Sequence, residues 1–230
     1  MDMRYRLLFS IFVFFILIVS CREVENPRLD FGKDYQPLEL GLFWIYDVEE
    51  TIVFGENDSQ TEQYFLRDLI DYSFFNAQNE EVFVIRRERS DDRLNWFPVS
   101  GYSLHFRGNA LLRNFENQIS VNLVLPPRVG ARWDAMVYNS SPRDDFEIEF
   151  MGNVTIGAQF FQRSLIVRQE EDDDQITFRD NRYEVYTRGV GMVEHYYEVF
   201  TYCSRNDCLG QMIKDSGRKT HMKISTYGKL

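Results

Sequence analysis

Ile119-Ser120-Val121-Asn122-Leu123-Val124-Leu125, followed by Pro126-Pro127, decides the fold class. Apolar residues at every second position, with Ser120 and Asn122 between them, follow the two-residue period of a pleated strand with one face buried. The prolines have no N–H to give a neighbouring strand, so the strand stops there. The same rhythm extends outward in both directions. Leu42, Trp44, Tyr46 and Val48 alternate with Phe43, Ile45 and Asp47. Strand-like segments follow at 63–75, 81–89, 102–107, 110–115, 133–138, 146–151, 159–169, 175–179, 182–202 and 219–227. Residues that favour turns separate them at 55–59, 76–79, 90–92, 108–109, 139–143, 152–153 and 170–174. That spacing is the signature of an all-β chain. The nearest helical rival, residues 63–70, fits neither period cleanly. About ten strands in one sheet must twist and curl. The expectation is an all-β single domain over 37–230: one antiparallel, strongly curled sheet, as a half-barrel or a barrel-like sandwich.

The chain opens MDMRYRLLFSIFVFFILIVSC. Arg4 and Arg6 precede an apolar run from Leu7 to Val19 that falls short of the ~20 residues a spanning helix needs, and a small residue closes it. Ile18-Val19-Ser20-Cys21 resembles the lipobox of bacterial lipoproteins. The resemblance implies cleavage of residues 1–20 as a signal peptide and attachment of diacylglycerol to the Cys21 sulfur. The new amino group would then be acylated as well. Two or three acyl chains, at ~0.8 kcal/mol per buried methylene, exceed what stable anchoring requires. An ordinary cleaved signal and an uncleaved anchor are the alternatives. Residues 21–36, polar with Pro27 and Gly32, read as a flexible tether to a membrane. Arg22 is not the aspartate that marks inner-membrane retention, so the outer membrane is the expected destination, with its face left open.

The formal net charge of −10 becomes −11 once Asp2, Arg4 and Arg6 leave with the signal. An acidic body lacks the basic footprint that phosphate backbones require, which argues against nucleic acid as a partner. Of three cysteines, Cys21 is assigned to lipid. Cys203 and Cys208 flank the turn-forming Ser204-Arg205-Asn206-Asp207. A hairpin with that loop would bring them within disulfide range, as suits an oxidising envelope. Two buried free thiols are the alternative. Zinc ranks third, since only His195 and His221 lie nearby in sequence to complete four ligands.

Pro37-Leu38, Gly41, Trp44 and Tyr46 reproduce the opening of a recurring group of Bacteroidota lipoproteins, which reads Pro-Leu, two residues, Gly, two residues, Trp, one residue, Tyr. Three later pieces resemble the same group in the same order. They are Arg86-Arg87-Glu88-Arg89 with Trp96, the 121–128 strand with Gly130-Ala131-Arg132-Trp133, and residues 186–193. Asp134 and Ala135 depart from the aromatic surroundings usual at Trp133. The resemblance implies location and an all-β fold, and no activity. Trp44 and Trp133 each follow a glycine by three residues; each should plug an end of the core with its indole N–H on a loop carbonyl. Gly189 and Gly191 mark a bulge or a close backbone approach within a long strand.

No motif for a cofactor or for catalysis emerges. Glu170-Glu171-Asp172-Asp173-Asp174 lacks the spaced oxygens and central glycine of a calcium loop. His195 lacks the i+4 histidine of a metalloprotease helix. His105 and Asp134 with a serine show no triad spacing, and there is no GxSxG elbow. The expected function is therefore a non-catalytic, lipid-anchored envelope module that binds a partner protein or an apolar ligand. A hydrolase of envelope polymers is the alternative.

Overall fold

A computed structural model describes residues 31–230. The expected signal peptide, Cys21 and most of the expected tether lie outside the described residues. Twelve strands form one antiparallel sheet: β1 (Leu42–Gly55), β2 (Asp58–Phe75), β3 (Glu81–Ser90), β4 (Phe97–Arg107), β5 (Ala110–Phe115), β6 (Gln118–Val124), β7 (Arg132–Asp134), β8 (Asp145–Ile156), β9 (Gln159–Asp173), β10 (Phe178–Thr187), β11 (Gly191–Tyr202) and β12 (Lys214–Lys229). Their order is β6-β5-β4-β3-β2-β1-β12-β11-β10-β9-β8-β7. Two six-strand meanders are thus joined by the pairing of the first strand with the last, in register from Leu42↔Lys229 to Val53↔Gly217. The fold is all-β, a curled sheet nearly closed into a barrel.

The seam lies between β6 and β7, and side chains and turns cover it. Val121 N–H donates to the Ala135 carbonyl at 2.9 Å, and the Trp133 indole N–H donates to the Val121 carbonyl at 2.7 Å. Asn139 both accepts from the Ile119 N–H and donates to the Ile119 carbonyl. Bare strand edges invite pairing with other chains, and these contacts blunt both of them.

Several local expectations change. Residues 63–70 are strand, inside β2. Residues 175–179 are not a separate strand: the Asp174 carboxylate accepts the N–H groups of Ile176, Thr177 and Phe178 to form a turn, and β10 starts after it. Of the expected 133–138 strand only Trp133 and Asp134 pair, and the strand starts one residue earlier, at Arg132. Gly189 and Gly191 flank the β10–β11 hairpin and do not interrupt one long strand. The close approach at Gly191 does hold: φ is +108°, and a Cβ there would lie 3.1 Å from the Trp44 indole nitrogen. That indole N–H donates to the Val190 carbonyl, so Trp44 plugs this end of the barrel as expected. The packed chain also begins before residue 37. Lys33–Tyr35 is a 3-10 turn, and Tyr35 and Gln36 are buried. Cys203 and Cys208 are joined by a disulfide with Cα atoms 5.8 Å apart. Both lie in the long β11–β12 connection, so the bridge staples that loop and does not link paired strand positions.

The interior is divided along its length. Trp44, Tyr46, Leu104, Leu111, Leu123, Tyr186 and Ile224 belong to a continuous apolar core. It fills the end at which the β10–β11 hairpin and the start of β1 lie. The other end carries the β1–β2, β3–β4, β5–β6, β9–β10 and β11–β12 connections, and there the barrel is hollow.

Candidate functional site

The cavity is assembled from inward positions on the upper halves of the strands. Its inner lobe, about 350 Å³, is lined by residues that include Arg87, Tyr102, Arg113, Asn122, Glu184 and His195. An outer lobe of about 770 Å³ leads on past Ile52, Val53, Val99 and Val199. Phe115, Arg87, His195, Tyr197 and Met222 line both lobes, so they form one depression. The inner volume lies within the ~300–1,000 Å³ usual for small-molecule sites.

A layer of charged residues forms part of the cavity floor, beside Phe146, Met192 and Met222 of the apolar core, which also line it. Asp68 on β2 is fully buried. It accepts both Nε and Nη2 of Arg87, from neighbouring β3, at 2.7 Å each, and the Tyr102 hydroxyl at 2.9 Å. Glu184 on β10, also fully buried, accepts Nη1 of Arg113 on β5 at 2.7 Å. Asn122 Nδ2 at 3.2 Å and the Tyr186 hydroxyl donate to its other oxygen. His195 Nδ1 stands 3.3 Å from Oε1, and since a carboxylate only accepts, Nδ1 carries the proton.

Burial alone would raise the Glu184 carboxyl, but the Arg113 guanidinium and His195 outweigh it and hold it well below the usual carboxylate range. Burial and the charge on Asp68 push the Tyr102 hydroxyl up, so it stays a donor. In this layer Glu184 is thus held ionised and Tyr102 neutral. Buried pairs of this kind recover their desolvation penalty poorly, and apolar side chains of equal volume would serve stability as well or better. Their presence beside a cavity makes it the candidate functional site.

The strand that decided the fold class departs here from its expected pattern. Val121, Asn122 and Leu123 are all buried, where one buried face was expected. The β5–β6 register skips between Leu111↔Leu123 and Leu112↔Val121. Asn122 is the extra residue of that bulge, and it faces the cavity with Ser120. The outer side of Val121 is covered by the seam.

Other candidate residues are dispersed. His105 is buried on β4 with Glu80 3.6 Å from Nε2, while Asp134 accepts the Met136 and Asp144 N–H groups. They do not meet. His221 pairs with Glu194 at 2.6 Å. In the acidic run, Asp173 is paired with Arg179 at 2.7 Å. Among the described residues no group of three or more His, Cys, Asp or Glu side chains is placed to hold a metal. Asp68, Arg113 and Glu184 were not singled out from sequence, and Arg87 entered only through the resemblance at 86–89, with no role attached.

No family model matches the chain, and no curated protein matches it. Two solved structures are similar in backbone. One is described as an exported protein with a YmcC-like fold from Bacteroides fragilis, 11% identical, with a TM-score of 0.44 over 84% of this chain and 98% of that one. The other is described as a lipoprotein from Parabacteroides distasonis, 10% identical, with a TM-score of 0.41 over the same shares. Similarity at this level assigns no ligand or activity.

Proposed function

We propose that the protein is a lipid-anchored envelope module, held in the outer membrane through Cys21, that takes a small ligand with an apolar part into its barrel without transforming it. The observation behind this reading is the cavity itself, with an apolar side at Val53, Val99 and Phe115 beside Glu50, Arg89 and Arg218 toward the mouth, and a charged floor. A binding role is favoured over hydrolysis by the state of the floor. Glu184, held ionised, has no proton to donate. Both floor carboxylates are engaged by arginine, and general acid catalysis needs one that is protonated near neutral pH.

The test is extraction of the full chain, purified from envelope in a non-micellar polymer, followed by mass spectrometry of whatever co-purifies. A stoichiometric small molecule is expected. It should be lost in Ser120→Phe, which fills the cavity, with the far-ultraviolet circular dichroism unchanged. Equal recovery from both proteins, or none from either, would overturn the ligand reading. The anchor is tested separately. Cys21→Ser should abolish palmitate labelling and release the protein from membranes, and persistent labelling would refute it.

A further inference from the structure

We infer that the ligand is an anionic amphiphile, a single apolar chain ending in a carboxylate or phosphate group that docks on Arg87 and Arg113. The inference rests on the ligand-binding reading above and names the chemistry of that ligand. It follows from an imbalance of donors and acceptors on the cavity floor.

The acceptors are occupied. Both oxygens of Asp68 take Arg87, and one also takes Tyr102. Both oxygens of Glu184 are engaged, by Arg113 and His195 on one side and by Asn122 and Tyr186 on the other. A cationic or donor-rich head group would find no open carboxylate on this layer.

The donors are not all occupied. Arg87 uses Nε and Nη2 on Asp68, and its Nη1 meets no acceptor among the described residues. Arg113 makes one short bond. Its Nη2 reaches Glu184 only at 3.5 Å and the Met192 sulfur at 3.9 Å; its Nε, without an acceptor among the described residues, is shut off from the cavity and takes no part in docking. Each arginine side chain is 23% exposed, and on inward-facing positions that exposure is to the cavity. Unpaired guanidinium donors at the floor of a pocket call for oxygen acceptors, and carboxylate or phosphate supplies them in the matching planar or forked geometry.

The carboxylates behind the arginines fix the guanidiniums in place, which lowers the ordering cost of capturing a head group. From the floor, the cavity continues past Phe115 into the outer lobe, whose lining sets an apolar wall of Ile52, Val53, Val99 and Val199 beside Glu50, Arg89, Arg218 and Thr220. That wall suits an acyl chain pointing head-inward. Phe54, Phe97 and Leu94 stand exposed at the same end, where a chain would leave the barrel.

Calorimetric titration of the full chain, held in a non-micellar polymer, against four ten-carbon probes tests this. Decanoate and decyl phosphate should bind at least tenfold more tightly than decanol and decyltrimethylammonium, and the ratio of the first two identifies the preferred head. Arg113→Gln and Arg87→Gln should each remove most of that preference while leaving decanol binding unchanged. If Arg113→Gln does not fold, the four-probe series on the unsubstituted protein and on Arg87→Gln still decides. Decanol or the cation binding as tightly as decanoate overturns the anionic head but leaves the ligand reading intact. Failure of all four to bind overturns both.

Discussion

Arg113 and Glu184, 71 residues apart on β5 and β10, meet inside the barrel at 2.7 Å. Two half-sheets whose strands pair at β1 and β12 and whose far edges meet at the β6–β7 seam are thereby also joined across the interior, through a charge pair. Removing one member leaves the other buried and unpaired, which costs ~3–5 kcal/mol in a dry interior. The cavity admits water beside Arg113, so Arg113→Met should cost about 3 kcal/mol, the lower end of that range. Arg113→Met combined with Glu184→Gln should recover most of the loss, because the neutral amide no longer needs a counter-charge. Urea unfolding of the full chain measures both. A single variant as stable as the unsubstituted protein would show that the pair holds nothing together.

Alkaline pH should unfold the protein steeply. Burial pushes the hydroxyls of Tyr64 and Tyr196 up to about 12, and burial raises those of Tyr46, Tyr102, Tyr183 and Tyr186 as well. In the unfolded chain these groups ionise near pH 10. Between about 10 and 12 the unfolded state therefore holds fewer protons than the native one, and stability falls as pH rises through that window. Below pH 10 the contribution is fully present. Phenolate absorbance and circular dichroism followed together should change in one step above pH 10. Smooth ionisation of every tyrosine near pH 10 in a still-folded protein would contradict the burial on which this rests.

The sheet was legible because alternation and turn residues are local signals, and β-meander pairing follows them in order. The pairing of β1 with β12 was not, since register across the whole chain leaves no local mark. The charged floor was hidden by the bulges. Register shifts fall at Ile70/Tyr72, Leu111/Leu112, Arg182/Tyr183 and Val185/Tyr186, beside Asp68, Arg113 and Glu184. Each shift resets which residues face inward, so a two-residue period cannot be carried across it. In Tyr183-Glu184-Val185-Tyr186 both phases are largely apolar, and Glu184 could be assigned to either face. The Trp44 plug, by contrast, was readable from Gly41-Leu42-Phe43-Trp44, because a tryptophan near a strand start needs an acceptor for its N–H.

Gly191 ties that plug to the β10–β11 hairpin. Its φ of +108° suits glycine alone, and an added Cβ would meet both the Trp44 indole and the Gln36 amide at 3.1 Å. Gly191→Ala should then displace Val190 from the indole N–H and lower stability by about 2 kcal/mol, combining backbone strain with a lost buried hydrogen bond. Trp44→Phe removes the bond without the strain and should cost about 1–2 kcal/mol. Tryptophan fluorescence should shift to the red in Gly191→Ala as water reaches the indole. A variant with unchanged emission and unchanged urea midpoint would show that the hairpin tolerates the methyl group.

The Cys203–Cys208 bridge closes a loop of only a few residues, with a sequence separation of 5, so its effect on the unfolded chain is modest, about 2 kcal/mol on the chain-entropy estimate. Its local effect is larger. Cys203 and Cys208 are both buried, the Cys203 N–H donates to the Ile213 carbonyl, and the Cys208 N–H donates to the Arg205 carbonyl. The staple therefore holds the β11–β12 connection against the end of the sheet that carries the cavity mouth. Non-reducing peptide mapping should find Cys203 joined to Cys208. The double variant Cys203→Ala/Cys208→Ala should fold with a slightly lowered urea midpoint, while amide exchange rises chiefly in residues 203–213. Free alkylation of both thiols in the native protein would remove the bridge, and exchange spread evenly over the barrel would remove its local role.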